Sequence, residues 1–227
     1  LGGQVLFGGR DLTKVSDEEI HKVRGGQIGM IFQEPLTALN PVHRIGRQLS
    51  EVFLLHMDIS KKEAWERSID ILKKVGIPSP EIRATEYPHQ LSGGMRQRVA
   101  IAMALMAEPW LLIADEPTTA LDATLEVQII HRLKDLQKEF GCSILFISHH
   151  LGVIAELCDE VIVMYAGEVV ESGSLRDVFK EPKHPYTRKL LECDPARITE
   201  PTRELPVIEG SLPNLVSVSV RYIEGES

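Results

Sequence analysis

A chain of 227 residues, 43% hydrophobic and 26% charged, is long enough to bury a real core and has a globular composition. Its net charge of −8 gives it no electrostatic reason to seek nucleic acid or an anionic lipid surface, so neither is an expected partner. The longest apolar run, "VAIAMALMA" at 99–107, is about half a bilayer span, and no signal-peptide pattern is visible. Cys142, Cys158 and Cys193 are far apart, odd in number and without a C-x-x-C. They predict buried, inert thiols in a reducing cytosol, with no disulfide frame and no structural zinc. The first Met is Met30, whereas natural chains start with Met, which predicts residues ahead of Leu1.

In chain order, "QVLF" (4–7) predicts a short strand before a Gly8–Gly9 turn. "SDEEIHKVR" (16–24) predicts a helix whose Ser16 and Glu19 form a capping box. "IGMIFQ" (28–33) has the continuous apolar character of a strand buried on both faces, and "EPLTALNP" (34–41) predicts a loop. Ile45, Leu49, Val52 and Phe53 share one helix face. "SKKE" (60–63) predicts a second capping box, and Trp65, Ile69, Leu72 and Val75 share a face that stops at Gly76. After the proline-broken segment 77–90, a helix is predicted over about 93–107.

The pattern then changes. "WLLIADEP" (110–117) is an apolar run capped by two acids, and "EVQIIHRLKDLQKEF" (126–140) is an amphipathic helix stopped by Gly141. "SILFIS" (143–148) predicts another buried strand, "LGVIAELC" a short helix, and "EVIVMYAGEVVESG" (160–173) two strands joined across Ala166–Gly167. Strand, helix, strand predicts a parallel α/β architecture, with the helical block 34–107 inserted into it. The tail from about 174 predicts two short helical pieces around "KEPKHPYTRKLL" and then an irregular end.

Chemistry concentrates at a few positions. "LSGGMRQR" (91–98) sets a serine and two glycines at a helix start, where a hydroxyl, bare N–H groups and the dipole can cradle a phosphate; it reads equally as an N-cap with a glycine turn. Asp115 and Glu116 end a buried strand, where α/β sheets bind ligands, and can hold Mg²⁺ and polarise a water. Gln33 ends the other strand; its side-chain carbonyl can reach the same metal or water, or the residue can simply be exposed. His149 can donate to a phosphate oxygen or serve as a structural hydrogen-bonder.

The ordered set Gln33, LSGGM (91–95), LLIADE (111–116), TALD (119–122) and ISHH (147–150) resembles the ATP-binding-cassette ATPases. "MIFQEPLTALNP" (30–41), "HPYTRKLL" (184–191) and "GGQVLFGGRDL" are similar to the ATPase subunits of oligopeptide, dipeptide and nickel importers. The resemblance implies a RecA-like P-loop NTPase core, incomplete at the N-terminus, with an inserted helical subdomain. It divides the chain into part of the core (1–33), the helical subdomain (34–107), the rest of the core (108–173) and a family-specific extension (174–227).

The resemblance also implies roles. Glu116 activates water, Asp115 and Gln33 organise Mg²⁺, and His149 holds the γ-phosphate of ATP. Ser92, Gly93, Gly94 and Asp122 face the ATP bound by a second ATPase subunit, identical or a sister. Two membrane-spanning permease subunits, met around residues 34–45, and indirectly a solute-binding protein complete the implied assembly at the cytoplasmic face of the membrane. The ATP-holding loop G-x-x-G-x-G-K-[ST] is absent from the 227 residues, and the resemblance implies that it precedes Leu1. The chain as written is therefore expected neither to bind ATP in its own half-site nor to hydrolyse it. His150 stands where many relatives have an aspartate. Only Cys193 lies in the tail, so no iron–sulfur cluster is expected. Three other readings stand beside the importer: a non-hydrolysing subunit completing a partner's ATP site, an exporter ATPase, and a soluble cassette ATPase.

Overall fold

The computed structural model describes residues 3–119 and 121–193 and divides into two compact units, 1–149 and 150–227. Residues 194–227, within the irregular end expected after the two tail helices, and Ala120 of the TALD segment lie outside the described residues.

The first unit opens with a hairpin shorter than the predicted strand. β1 (Leu6–Phe7) pairs with β2 (Arg10–Asp11) across Gly8–Gly9, both at positive φ. Helix α1 (Asp17–Val23) carries the predicted box, with Ser16 accepting from the Glu19 N–H and Glu19 reaching back to the Ser16 backbone. Strand β3 (Ile28–Ile31) follows. The predicted loop at 34–41 contains one helical turn, α2 (Pro35–Ala38), because Pro35 sits at the first helical position, where its missing N–H costs nothing.

The helices α3 (Ile45–His56) and α4 (Lys61–Lys74) pack against each other. Ile45, Leu49 and Phe53 are buried on the first, Ile69 and Leu72 on the second, and Val75 just after it. Trp65 departs from the shared buried face: it is half-exposed, its ring laid against Gly46, where a Cβ would overlap it. Ser60 accepts from the Glu63 N–H as predicted, but the Glu63 carboxylate pairs with Arg67 at 2.8 Å, one turn on. The short α5 (Pro80–Arg83) and a 3₁₀ turn at Pro88–Gln90 lead to α6 (Gly93–Leu105).

Helix α6 is buried along most of its length, because a run of Val, Ala and Ile lets it sit close to the sheet. The approach is close enough that a Cβ on Gly29 of β3 would overlap the Ala104 carbonyl oxygen. Strand β4 (Leu111–Asp115) comes next, then α7 (Ala123–Phe140), which starts three residues earlier than its periodicity predicts because Asp122 caps it. Gly141 ends it at φ 64°, the left-handed conformation that suits glycine. Strand β5 (Ser143–Ile147) completes a parallel sheet of order β3-β4-β5, with Ile31 opposite Ala114 and Asp115 opposite Ile147. Unlike the doubly buried strand predicted, β5 alternates: Phe146 is buried, whereas Leu145 and Ile147 are 46% and 45% exposed.

The second unit begins with α8 (Leu151–Leu157) and a hairpin of β6 (Glu160–Tyr165) and β7 (Glu168–Ser174). Ala166 and Gly167, both at positive φ, make the predicted turn. Two short helices follow, α9 (Leu175–Lys180) and α10 (Pro185–Glu192). In the HPYT segment, His184 Nδ1 accepts from the Tyr186 N–H, Pro185 opens α10 and Thr187 is buried. The Glu171 carboxylate of β7 accepts from the Lys183 and His184 N–H groups, so this motif builds a helix start. Cys142 is buried as predicted; Cys158 and Cys193 are only half-buried, and all three are free thiols. Burial pushes the Cys142 and Cys158 thiols up, which keeps them unreactive at neutral pH.

Candidate functional site

The site forms at the carboxyl ends of three parallel strands. Gln33 lies two residues beyond β3, Glu116 one beyond β4 and His149 two beyond β5. Parallel pairing aligns these ends, so three residues far apart in sequence emerge on one edge. Gln33 Nε2 donates to Glu116 Oε2 at 2.9 Å, and His149 Nδ1 lies 3.0 Å from Glu116 Oε1. An ionised carboxylate only accepts, so the proton of the second contact sits on Nδ1. Asp115 ends β4 beside them and is half-buried.

The Glu116 backbone is unusual. Its φ is +43°, a left-handed conformation that costs a non-glycine residue about 1–3 kcal/mol and persists only where surrounding bonds enforce it. Pro117 disfavours the right-handed helical region for the residue before it. The Glu116 N–H donates to the Ile147 carbonyl at 3.0 Å, and its carbonyl accepts from the Thr119 N–H at 3.1 Å. Together these aim the side chain across the strand ends.

The hydrogen bond from His149, then that from Thr119, hold the Glu116 carboxyl below the ordinary carboxylate range; Gln33 adds in the same direction. Glu116 is therefore ionised at neutral pH, ready to accept a proton. Thr119 Oγ1 donates to Glu116 Oε2 at 2.9 Å, a contact not foreseen from sequence. The available signal was a hydroxyl three residues after the acid in a proline-containing turn.

A second group is built from two helix starts. Ser92 caps α6, its Oγ accepting from the Met95 N–H at 3.3 Å, and Asp122 caps α7, its Oδ1 accepting from the Leu125 N–H at 2.9 Å. The two glycines differ. A Cβ on Gly94 would stand 3.2 Å from Leu125 Cδ1, so this glycine lets α6 approach α7. A Cβ on Gly93 would meet nothing within 4 Å, and Gly93 is exposed, so its backbone lies open at the positive end of a 13-residue helix.

Arg98, one turn beyond Gly94, donates to the Val75 and Gly76 carbonyls at 3.1 and 3.3 Å and to Gln128 Oε1 at 3.1 Å. It ties α6 to the end of α4 and to α7. The segment 116–122 joins the two groups, since it begins at Glu116 and ends at Asp122. Thr118, 5% exposed, anchors it by donating to Glu126 Oε1 at 2.7 Å.

Among known proteins, the family described as ABC transporter matches residues 1–119, and that described as oligopeptide/dipeptide transporter, C-terminal region, matches residues 170–220. The chain is 52% identical over 215 residues to the oligopeptide transport ATP-binding protein OppD of Bacillus subtilis, spanning 95% of itself and 60% of that protein. It is 49% identical to the dipeptide transport ATP-binding protein DppD of the same organism, again over 95% of itself and 64% of the relative. The chain thus spans less than two thirds of the length of either relative. Among solved structures, it is similar to the dimeric post-hydrolysis state of the ATP-binding cassette MJ0796 bound to ADP and Pi. That match has a TM-score of 0.69 at 30% identity, over 77% of this chain and 74% of that one. It is also similar to cbiO1 of Clostridium perfringens, with a TM-score of 0.68 at 34% identity over 79% and 69%.

Proposed function

The chain belongs to the ABC transporter family and has the RecA-like cassette fold of its ATPases, and from that premise we propose that it serves in the ATP-hydrolysing subunit of an importer for peptides or similar small solutes. The observation that carries the proposal is the convergence of Gln33, Glu116 and His149 at the ends of three parallel strands. The match of residues 170–220 and the oligopeptide and dipeptide relatives support the cargo class.

The donor set fits Mg-ATP. The Asp115 carboxylate and the Gln33 amide carbonyl, whose NH₂ is already turned to Glu116, are hard oxygen ligands suited to Mg²⁺. Glu116, ionised at neutral pH, takes the proton of the attacking water, and His149 donates to a γ-phosphate oxygen. Bound Mg²⁺ neutralises charge on the phosphates. The exposed start of α6 at Ser92 and Gly93, with Asp122, faces the ATP of a second ATPase subunit, identical or a sister.

Two permease subunits hold the assembly at the cytoplasmic face of the membrane, and a solute-binding protein delivers cargo to them. No helix among the described residues is long and apolar enough to cross a membrane, which accords with peripheral attachment. The test is Mg-ATP turnover by the purified transporter complex containing this subunit. Glu116→Gln is expected to lower kcat by roughly 10²–10⁴, the range for loss of a general base. Turnover at the unsubstituted rate would overturn the proposal.

A further inference from the structure

Among the described residues, three side chains donate to the Glu116 carboxylate, and they are not equivalent. Gln33 and His149 arrive from other strand ends, and the His149 side chain is 64% exposed. In the function proposed above, both have duties toward Mg-ATP. Thr119 belongs to the same turn as Glu116 and is joined to it twice, by Oγ1 to Oε2 at 2.9 Å and by its N–H to the Glu116 carbonyl at 3.1 Å.

That turn is fastened on its far side as well. The buried Thr118 donates to Glu126 in the first turn of α7, and the Leu121 N–H donates to the Thr118 carbonyl at 3.1 Å. Gln33 and His149 reach the carboxylate by their side chains from other strand ends. Thr119 is held beside it by the backbone.

We infer that Thr119 is a positioning residue for Glu116: its hydroxyl holds Oε2 in place, so that Oε1 is the oxygen presented to water when His149 turns away. In this role Thr119 acts only through the carboxylate it orients. The inference rests on Glu116 being the base. It accounts for a left-handed Glu116 backbone bonded at both its N–H and its carbonyl, because a misaimed carboxylate loses the near-attack geometry.

The experiment measures kcat and KM for Mg-ATP in the transporter complex with Thr119→Val, which removes the hydroxyl at nearly constant shape, and with Thr119→Ser, which keeps it. Thr119→Val is expected to lower kcat about tenfold, in keeping with the loss of one hydrogen bond to a charged group, and to leave KM unchanged. Thr119→Ser is expected to restore kcat. In a Glu116→Ala background, with no carboxylate to orient, Thr119→Val is expected to have no further effect on the residual rate. Equal fold-losses in both backgrounds, an unchanged kcat in Thr119→Val, or a Thr119→Ser protein as slow as Thr119→Val would each overturn the inference. If Glu116→Ala itself leaves turnover intact, the base assignment falls, and the inference falls with it. If Glu116→Ala abolishes turnover and Thr119→Val in the otherwise unsubstituted protein turns over at the full rate, only the inference falls.

Discussion

Gln33 and Glu116, 83 residues apart in the chain, are joined by a 2.9 Å hydrogen bond from the glutamine amide to Glu116 Oε2. The bond requires a neutral donor facing an ionised acceptor. Gln33→Glu would set a second carboxylate against the first, and like charges at this range disfavour joint ionisation. The Gln33→Glu protein is expected to melt below Gln33→Ala at pH 7, and the gap to close as the pH falls and one carboxylate takes up a proton. Equal melting temperatures at pH 7 would contradict this.

The depressed Glu116 carboxyl makes a pH prediction of definite sign. Its stabilising contribution is fully present above the carboxyl's unfolded value, near the ordinary 4.5, and is lost as the pH falls through the lower folded value. His149 is the largest cause of the depression, so His149→Ala is expected to move the Glu116 titration back up toward 4.5 in metal-free buffer. Carboxyl-carbon NMR with selectively labelled glutamate reads this, with Glu116→Gln assigning the signal. A titration that does not move would show that His149 leaves the carboxylate's energetics untouched.

Gly93 and Gly94 are neighbours with opposite expectations. Gly94→Ala drives a methyl into Leu125 and is expected to cost up to about 1–3 kcal/mol in urea unfolding, less if Leu125 changes rotamer. Gly93→Ala meets open space and is expected to leave stability unchanged or to raise it by up to about 1 kcal/mol through helix propensity. It is nevertheless expected to lower turnover in the transporter complex, because its methyl occupies the approach to the helix N-terminus. A Gly93→Ala protein with full turnover would remove this backbone from the ATP-facing surface.

Arg98 satisfies two carbonyls at the end of α4 and one side-chain oxygen on α7. Arg98→Met keeps much of the stem and removes all three bonds, with an expected cost of about 1–3 kcal/mol. Lysine offers a point charge in place of a planar fork, so Arg98→Lys is expected to recover only part of that loss. Chemical denaturation of the three proteins checks the order; full recovery by lysine would mean that charge rather than geometry matters there.

Much of the local structure was legible in the sequence because its causes are local. The box at Ser16 and Glu19, the stop at Gly141 and the turn at Ala166–Gly167 each follow from the chemistry of adjacent residues. Two of the three misreadings have the opposite cause. Glu63 finds Arg67 rather than the Ser60 backbone, Trp65 lies over Gly46 on another helix, and β5 shows one covered face where its composition suits two. The last two outcomes depend on what stands across the packing interface, which periodicity does not specify, whereas Glu63 and Arg67 are an i,i+4 pair that competes locally with the capping box.

The same division runs through the site. By itself, the sequence determined the chemical inventory: acids at the end of an apolar strand, a glutamine and a histidine ending two others, and glycines at a helix start. Strand ends and helix caps are set by neighbouring residues, so these positions could be named one by one. Only the tertiary structure decided that Gln33 and His149 converge on a single carboxylate, and that Gly94 serves packing while Gly93 stays open. Those relationships arise from parallel strand register and from the close approach of α6 to α7. Both are settled by burying apolar faces against one another across long sequence separations, where no local spacing carries the information.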